Sequence, residues 1–86
     1  MTKYSVEIMP AAKNGLVGIQ KKDAKRILDK IKDLEDDPRP RWTEKLKVRP
    51  GLRLSIGDYR VIYSVDDKKK YIAVVEIGDR KEVYKK

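Results

Sequence analysis

The 86-residue sequence predicts an α+β domain in the order β-α-α-β-β-β, with the helices gathered on one face of an antiparallel sheet. Three patterns lead there. Lys3 to Ile8 alternates polar and apolar residues, an apolar stripe at 3.6-residue spacing follows between Ala24 and Leu34, and the remainder alternates again between tight turns.

In chain order, Tyr4, Val6 and Ile8 share one side of a half-buried strand. Pro10 suits the first turn of a helix, and Ala12, Leu16 and Ile19 continue it, weakened by Gly15 and Gly18 at about 1 kcal/mol each relative to Ala. Ala24, Ile27, Leu28, Ile31 and Leu34 form the apolar stripe of a second helix, which Asp37-Pro38 and Pro40 stop. Its charges pair at i, i+3 or i+4 and need no catalytic role. Residues Trp42 to Val48 can hold a short strand. Leu52, Leu54 and Ile56 then alternate with Arg53 and Ser55, and Gly57-Asp58, glycine first, reads as a type II′ turn. Tyr59 to Val65 is the return strand. Asp66 to Lys70 turns again, and Tyr71 to Ile77 is a further strand that Gly78-Asp79 is expected to break before the tail Arg80 to Lys86. The whole chain, 1–86, is read as one domain.

The composition narrows the chemistry. Twenty-two Lys and Arg against fourteen Asp and Glu give a net charge of +8, with no histidine and no cysteine. Thiol and imidazole catalysis, disulfides and the usual zinc sites are therefore excluded. No apolar run nears the roughly 20 residues of a membrane span, and no signal-peptide core is visible, so a cytoplasmic protein without a membrane partner is expected. The charge is segregated. Lys21 to Asp37 holds six basic and six acidic residues, whereas Arg39 to Arg60 holds seven basic against two acidic, and Lys68 to Lys86 seven against three. Two basic stretches on neighbouring elements form an electropositive surface suited to a polyanion, nucleic acid before anionic membrane.

The hairpin sharpens this reading. A two-residue turn at Gly57-Asp58 sets Ser55 opposite Arg60 and Arg53 opposite Ile62 on one face, away from the helices. Leu52, Leu54, Ile56, Tyr59, Val61 and Tyr63 occupy the other face. Clustered cations repel unless an anion visits them, so Arg53, Arg60 and an aligned Arg80 mark a polyanion site. Lys45, Lys47 and Arg49 are candidate phosphate clamps, with simple exposure as the alternative. Trp42 can stack a base or plug the sheet edge. Lys68-Lys69-Lys70 reads as a solvated hairpin tip.

The run Gly51-Leu52-Arg53-Leu54-Ser55-Ile56-Gly57-Asp58-Tyr59-Arg60-Val61-Ile62-Tyr63 resembles the G-x-R-x-x-x-G-D-Y-R-[VL]-[IL]-Y signature of RelE-type toxins. Lys45-Leu46 before it, and Val75 to Arg80 with Glu82-Val83-Tyr84 after it, follow the same pattern. The resemblance spans essentially the whole chain and implies the RelE/ParE toxin superfamily, with a two-helix hairpin on a curved sheet. In the RelE branch it implies a ribosome-dependent mRNA endoribonuclease, working through the RNA 2′-hydroxyl with neither metal nor cofactor. The implied partners are ribosome and mRNA, and a small acidic RelB-like antitoxin in a toxin–antitoxin hetero-oligomer. The ParE branch implies instead a gyrase inhibitor that does not cleave RNA. Position by position, Arg60 and Arg80 match the arginines at the scissile phosphate, and Tyr84 matches a C-terminal tyrosine acting as base or stacking on substrate. Arg53 matches the first of two basic residues before the hairpin; at the second, this chain has Ser55.

Overall fold

In the computed structural model, the turn at Gly57-Asp58 sets the register of everything around it. Gly57 has φ +59°, while Asp58 stays outside the left-handed region, the sign pattern of a type II′ turn. Leu52–Ile56 and Tyr59–Asp66 consequently pair as Leu52↔Tyr63, Arg53↔Ile62, Leu54↔Val61, Ser55↔Arg60 and Ile56↔Tyr59, as the two-residue loop requires. The structure describes residues 3–41, 43–47 and 51–79. The elements are β1 (Ser5–Ile8), α1 (Pro10–Val17), α2 (Lys21–Asp33), β2 (Glu44–Lys45), β3 (Leu52–Ile56), β4 (Tyr59–Asp66) and β5 (Tyr71–Asp79). They form one sheet in the order β1-β5-β4-β3-β2.

Two features depart from the expected antiparallel sheet. β1 joins β5 in parallel, Ser5↔Tyr71 to Ile8↔Val74, whereas β2 to β5 are antiparallel. Parallel neighbours need a long crossover, and the helical pair is part of the chain that connects them. The second departure is in β5, which does not stop at Gly78-Asp79. It runs on to pair Gly78 with Arg60 and Asp79 with Tyr59, because β4 offers backbone partners all the way to its first residue. The ladder slips once: Ile62 faces Glu76 and Tyr63 faces Val74, leaving Val75 as the extra residue of a β-bulge. The slip explains why Val74 and Ile77, three apart, both face the core.

Helix α1 begins on Pro10, whose missing N–H costs nothing at a helix start. It buries Ala12 and half-buries Leu16, while Ile19 falls beyond its end. Gly15 has a specific reason to be glycine. A Cβ there would stand 1.8 Å from the carbonyl oxygen of Ile77, so α1 lies against β5 at a distance only glycine permits. Helix α2 carries Asp23 in its first turn and Lys30 and Lys32 in its last, complementing its dipole. It lies over β3 and buries Ile27 and Ile31, with Leu34 at its end. Leu28, expected in the apolar stripe, is 41% exposed: the stripe is narrower than its sequence spacing implied. Below the helices lie Leu54, Ile56, Val61, Tyr63, Ile72, Val74 and Ile77. Tyr63 is wholly enclosed, its hydroxyl donating to the Pro38 carbonyl at 2.7 Å, and burial pushes its phenol up to about 12. Tyr4 and Tyr59 pack at the margins of this core.

The two α1 glycines should respond in opposite ways to alanine. Gly15→Ala forces helix from sheet and should cost about 1–3 kcal/mol, as overpacking does. A Cβ at Gly18 meets nothing within 4 Å, and its φ of −85° suits alanine, so Gly18→Ala should gain about 0.4–1 kcal/mol. Urea unfolding of both variants checks the contrast.

Candidate functional site

The face of the sheet turned away from the helices carries Arg53, Ser55, Arg60, Ile62 and Glu76, by the alternation of β3, β4 and β5. This face is not simply open surface. Arg60 retains only 7% of its accessible area, and its neighbour Ile62 is buried too. A charged side chain so enclosed is uncommon and calls for satisfying partners or a ligand. Arg60 stands opposite Ser55, which is exposed, and opposite Gly78, which puts no side chain beside it. Arg53 lies on the neighbouring strand two register positions away, its side chain 23% exposed. The expectation that the hairpin brings Arg53 and Arg60 to one face therefore holds. Arg49, Arg80 and Tyr84 lie outside the described residues, as does Trp42.

Arg53 has a neighbour that the sequence did not announce. Its Nη2 donates to Oε2 of Glu44, which stands directly opposite it across the β2–β3 pair. Its Nε is buried and has no hydrogen-bond partner among the described residues. A strand within 42–48 was foreseeable, but the register that puts Glu44 rather than Lys45 beside Arg53 was not.

That same register sends Lys45 the other way. Opposite Leu52, it belongs to the helical face, where it lines a hollow of about 190 Å³ with Arg39, Gly51, Leu52, Ser64 and Val65. Lys45 and the two arginines are thus on opposite sides of one sheet edge, while Lys47 is exposed just past β2. Arg39 is fixed there by Asp67. Its Nη1 and Nη2 donate to Oδ1 and Oδ2 at 3.1 and 2.9 Å, and the Tyr4 hydroxyl donates to Oδ1 at 2.6 Å. These donors hold the Asp67 carboxyl down at about 2, the Arg39 guanidinium first among them. Lys70, at φ +52°, places its ammonium 5.0 Å from the Tyr4 ring centre. A second hollow, about 260 Å³, lies between α2 and the β3–β4 turn, with Asp23, Arg26, Asp58 and Tyr59 around it. Among the described residues no three acidic side chains converge on a possible cation site. No described helix is long and apolar enough to cross a membrane.

A strand, two helices and a curved sheet are also what known proteins share with this chain. The model of the ParE toxin of type II toxin–antitoxin systems matches residues 6–84. The chain belongs to the RelE/ParE toxin superfamily. Among solved structures, an archaeal RelE–RelB complex from Pyrococcus horikoshii is 30% identical to the toxin, with a TM-score of 0.78 over 92% of this chain and 97% of the other. A RelBE toxin–antitoxin complex from Mycobacterium tuberculosis superposes with a TM-score of 0.81 at 20% identity, over 92% and 100% of the two chains. The isolated E. coli RelE toxin gives 0.75 at 23% identity, over 95% and 92%. No curated protein matches the toxin in sequence.

The Asp67 anchorage predicts how acid acts on the toxin. A carboxyl held at about 2 rather than its ordinary 3.8 contributes stability above pH 4 that is lost as the pH falls towards 2. Asp67→Asn should lower the urea midpoint at neutral pH and flatten its decline between pH 4 and 2.

Proposed function

We propose that the toxin is a metal-independent, ribosome-dependent mRNA endoribonuclease, held in check by a small acidic RelB-like antitoxin in a hetero-oligomer. The observation that carries the reading is Arg60: an enclosed guanidinium on the helix-free face, with Arg53 beside it and an exposed Ser55 opposite. In a site poorer in water, an arginine stabilises developing negative charge more strongly than on open surface, and it stays charged while doing so. The 30% identity to the toxin of an archaeal RelE–RelB complex supports both the RelE branch and the antitoxin.

The reaction suits a chain without histidine. The RNA 2′-oxygen attacks the adjacent phosphorus, the P–O5′ bond breaks, and a 2′,3′-cyclic phosphate and a free 5′-hydroxyl result. Arg60, Arg53 and Arg80 neutralise the extra charge on the phosphoryl oxygens. By the family motif, Tyr84 acts as the base that takes the 2′-hydroxyl proton. The leaving 5′-oxygen gains a proton from solvent or from the protonated base. DNA, lacking the 2′-hydroxyl, is spared. The roles of Arg80 and Tyr84 rest on the family motif. A second reading, a gyrase inhibitor acting by protein binding, is favoured by the match to the ParE model and by Ser55 at the position where the family resemblance implies a second basic residue.

Mapping RNA 5′ ends on mRNA-bound ribosomes separates the two. Wild type should give cuts in phase with codons. Arg60→Ala should slow them about 10²–10³-fold, as loss of one transition-state donor does. Tyr84→Phe should slow them about 10²–10⁴-fold, the usual worth of a general base. Growth arrest with intact mRNA and altered DNA topology would instead establish the gyrase reading.

A further inference from the structure

The Arg53–Glu44 pair has the wrong shape for a simple structural salt bridge. Arg53 is mostly enclosed, whereas Glu44 is 64% exposed and sits on an edge strand of two residues. Exposed pairs of this kind add little to stability, yet an enclosed guanidinium without a counter-charge is costly. Two oxygens of a planar carboxylate or of a tetrahedral phosphate can meet the same guanidinium fork. We propose that Glu44 is an internal stand-in for RNA phosphate: it keeps the Arg53 guanidinium compensated and oriented in the free toxin, and gives it up when the strand arrives. The inference rests on the nuclease reading and adds to it a positioning residue outside the family motif.

The edge location makes the exchange feasible. Glu44 has solvent on its outer side, so its carboxylate can rotate into water without disturbing the core. The exchange has an electrostatic signature. A phosphate that binds a free cation releases a condensed counterion, and binding weakens with salt accordingly. When phosphate displaces Glu44, the freed carboxylate stays beside the RNA, so the net positive charge brought to the backbone is nil and little counterion is released. Arg53 then supports affinity while contributing almost nothing to the salt dependence.

The test is a double-mutant cycle in RNA binding, using the full chain and a short RNA oligonucleotide blocked by 2′-O-methyl groups so that it cannot be cut. In the Arg53 background, Glu44→Gln should tighten binding about two- to five-fold, the range expected for releasing an exposed pair. It should also steepen the plot of log affinity against log salt by about 0.7, one single-strand phosphate. In an Arg53→Ala background the same substitution should change neither quantity. Equal tightening in both backgrounds would mean that Glu44 merely repels RNA at a distance, and would overturn the proposal. So would an unchanged slope in the single variant. Glu44→Ala, which also removes the charge, gives a second route should the glutamine variant misfold. A flat cycle, or wild type that does not bind the oligonucleotide, overturns this inference alone; the ribosome-dependent nuclease reading stands or falls with the 5′-end mapping.

Discussion

Everything on this molecule is phased by the two-residue turn at Gly57-Asp58. Side chains alternate across a strand with period two, so slipping the hairpin by one residue would move Arg53 and Arg60 into the core and bring Leu54 and Val61 out. The core and the candidate site are therefore two readings of a single register. Burying Leu54, Ile56, Val61 and Tyr63 beneath the helices is what delivers the arginines to the other side. Core formation thus presets the site's geometry before any ligand is present.

The rest of the fold holds that hairpin in place. Helix α1 is drawn against β5 through Gly15, α2 caps β3 with Ile27 and Ile31, and Tyr63 reaches through the core to the Pro38 carbonyl. Asp67 links the start of the chain, the segment after α2 and the β4–β5 turn through Tyr4 and Arg39. None of these contacts touches the outer face, so support and site are separate sets of residues.

Much of this was legible in the sequence because it is local. Gly-Asp between alternating runs fixed the hairpin and its pairing to the residue, and the 3.6 spacing located α2. What escaped reading depended on distant partners. The parallel joining of β1 depends on where a crossover lands, and Glu44 met Arg53 through a strand too short for any periodicity. Leu28 shared the spacing of Ile27 and Ile31 but lay at the rim of the stripe, outside the buried set. Gly15 looked like a weakness of the helix because its use lies in a neighbour 62 positions along the chain. One signal was present and unread: Ile72, Val74 and Ile77 break the alternation of β5, and such a break marks a bulge.

That bulge gives β5 two independent clocks. The stretch before Val75 keeps time with β1, and the stretch after it keeps time with the beginning of β4, where Arg60 stands. A strand without the extra residue would transmit any shift at one end to the other. With it, the half that closes the core and the half that flanks the arginines can drift apart in sequence and still meet their own partners. Substitutions around the arginines can then be absorbed in one half of the strand while the rest of the sheet stays as it was.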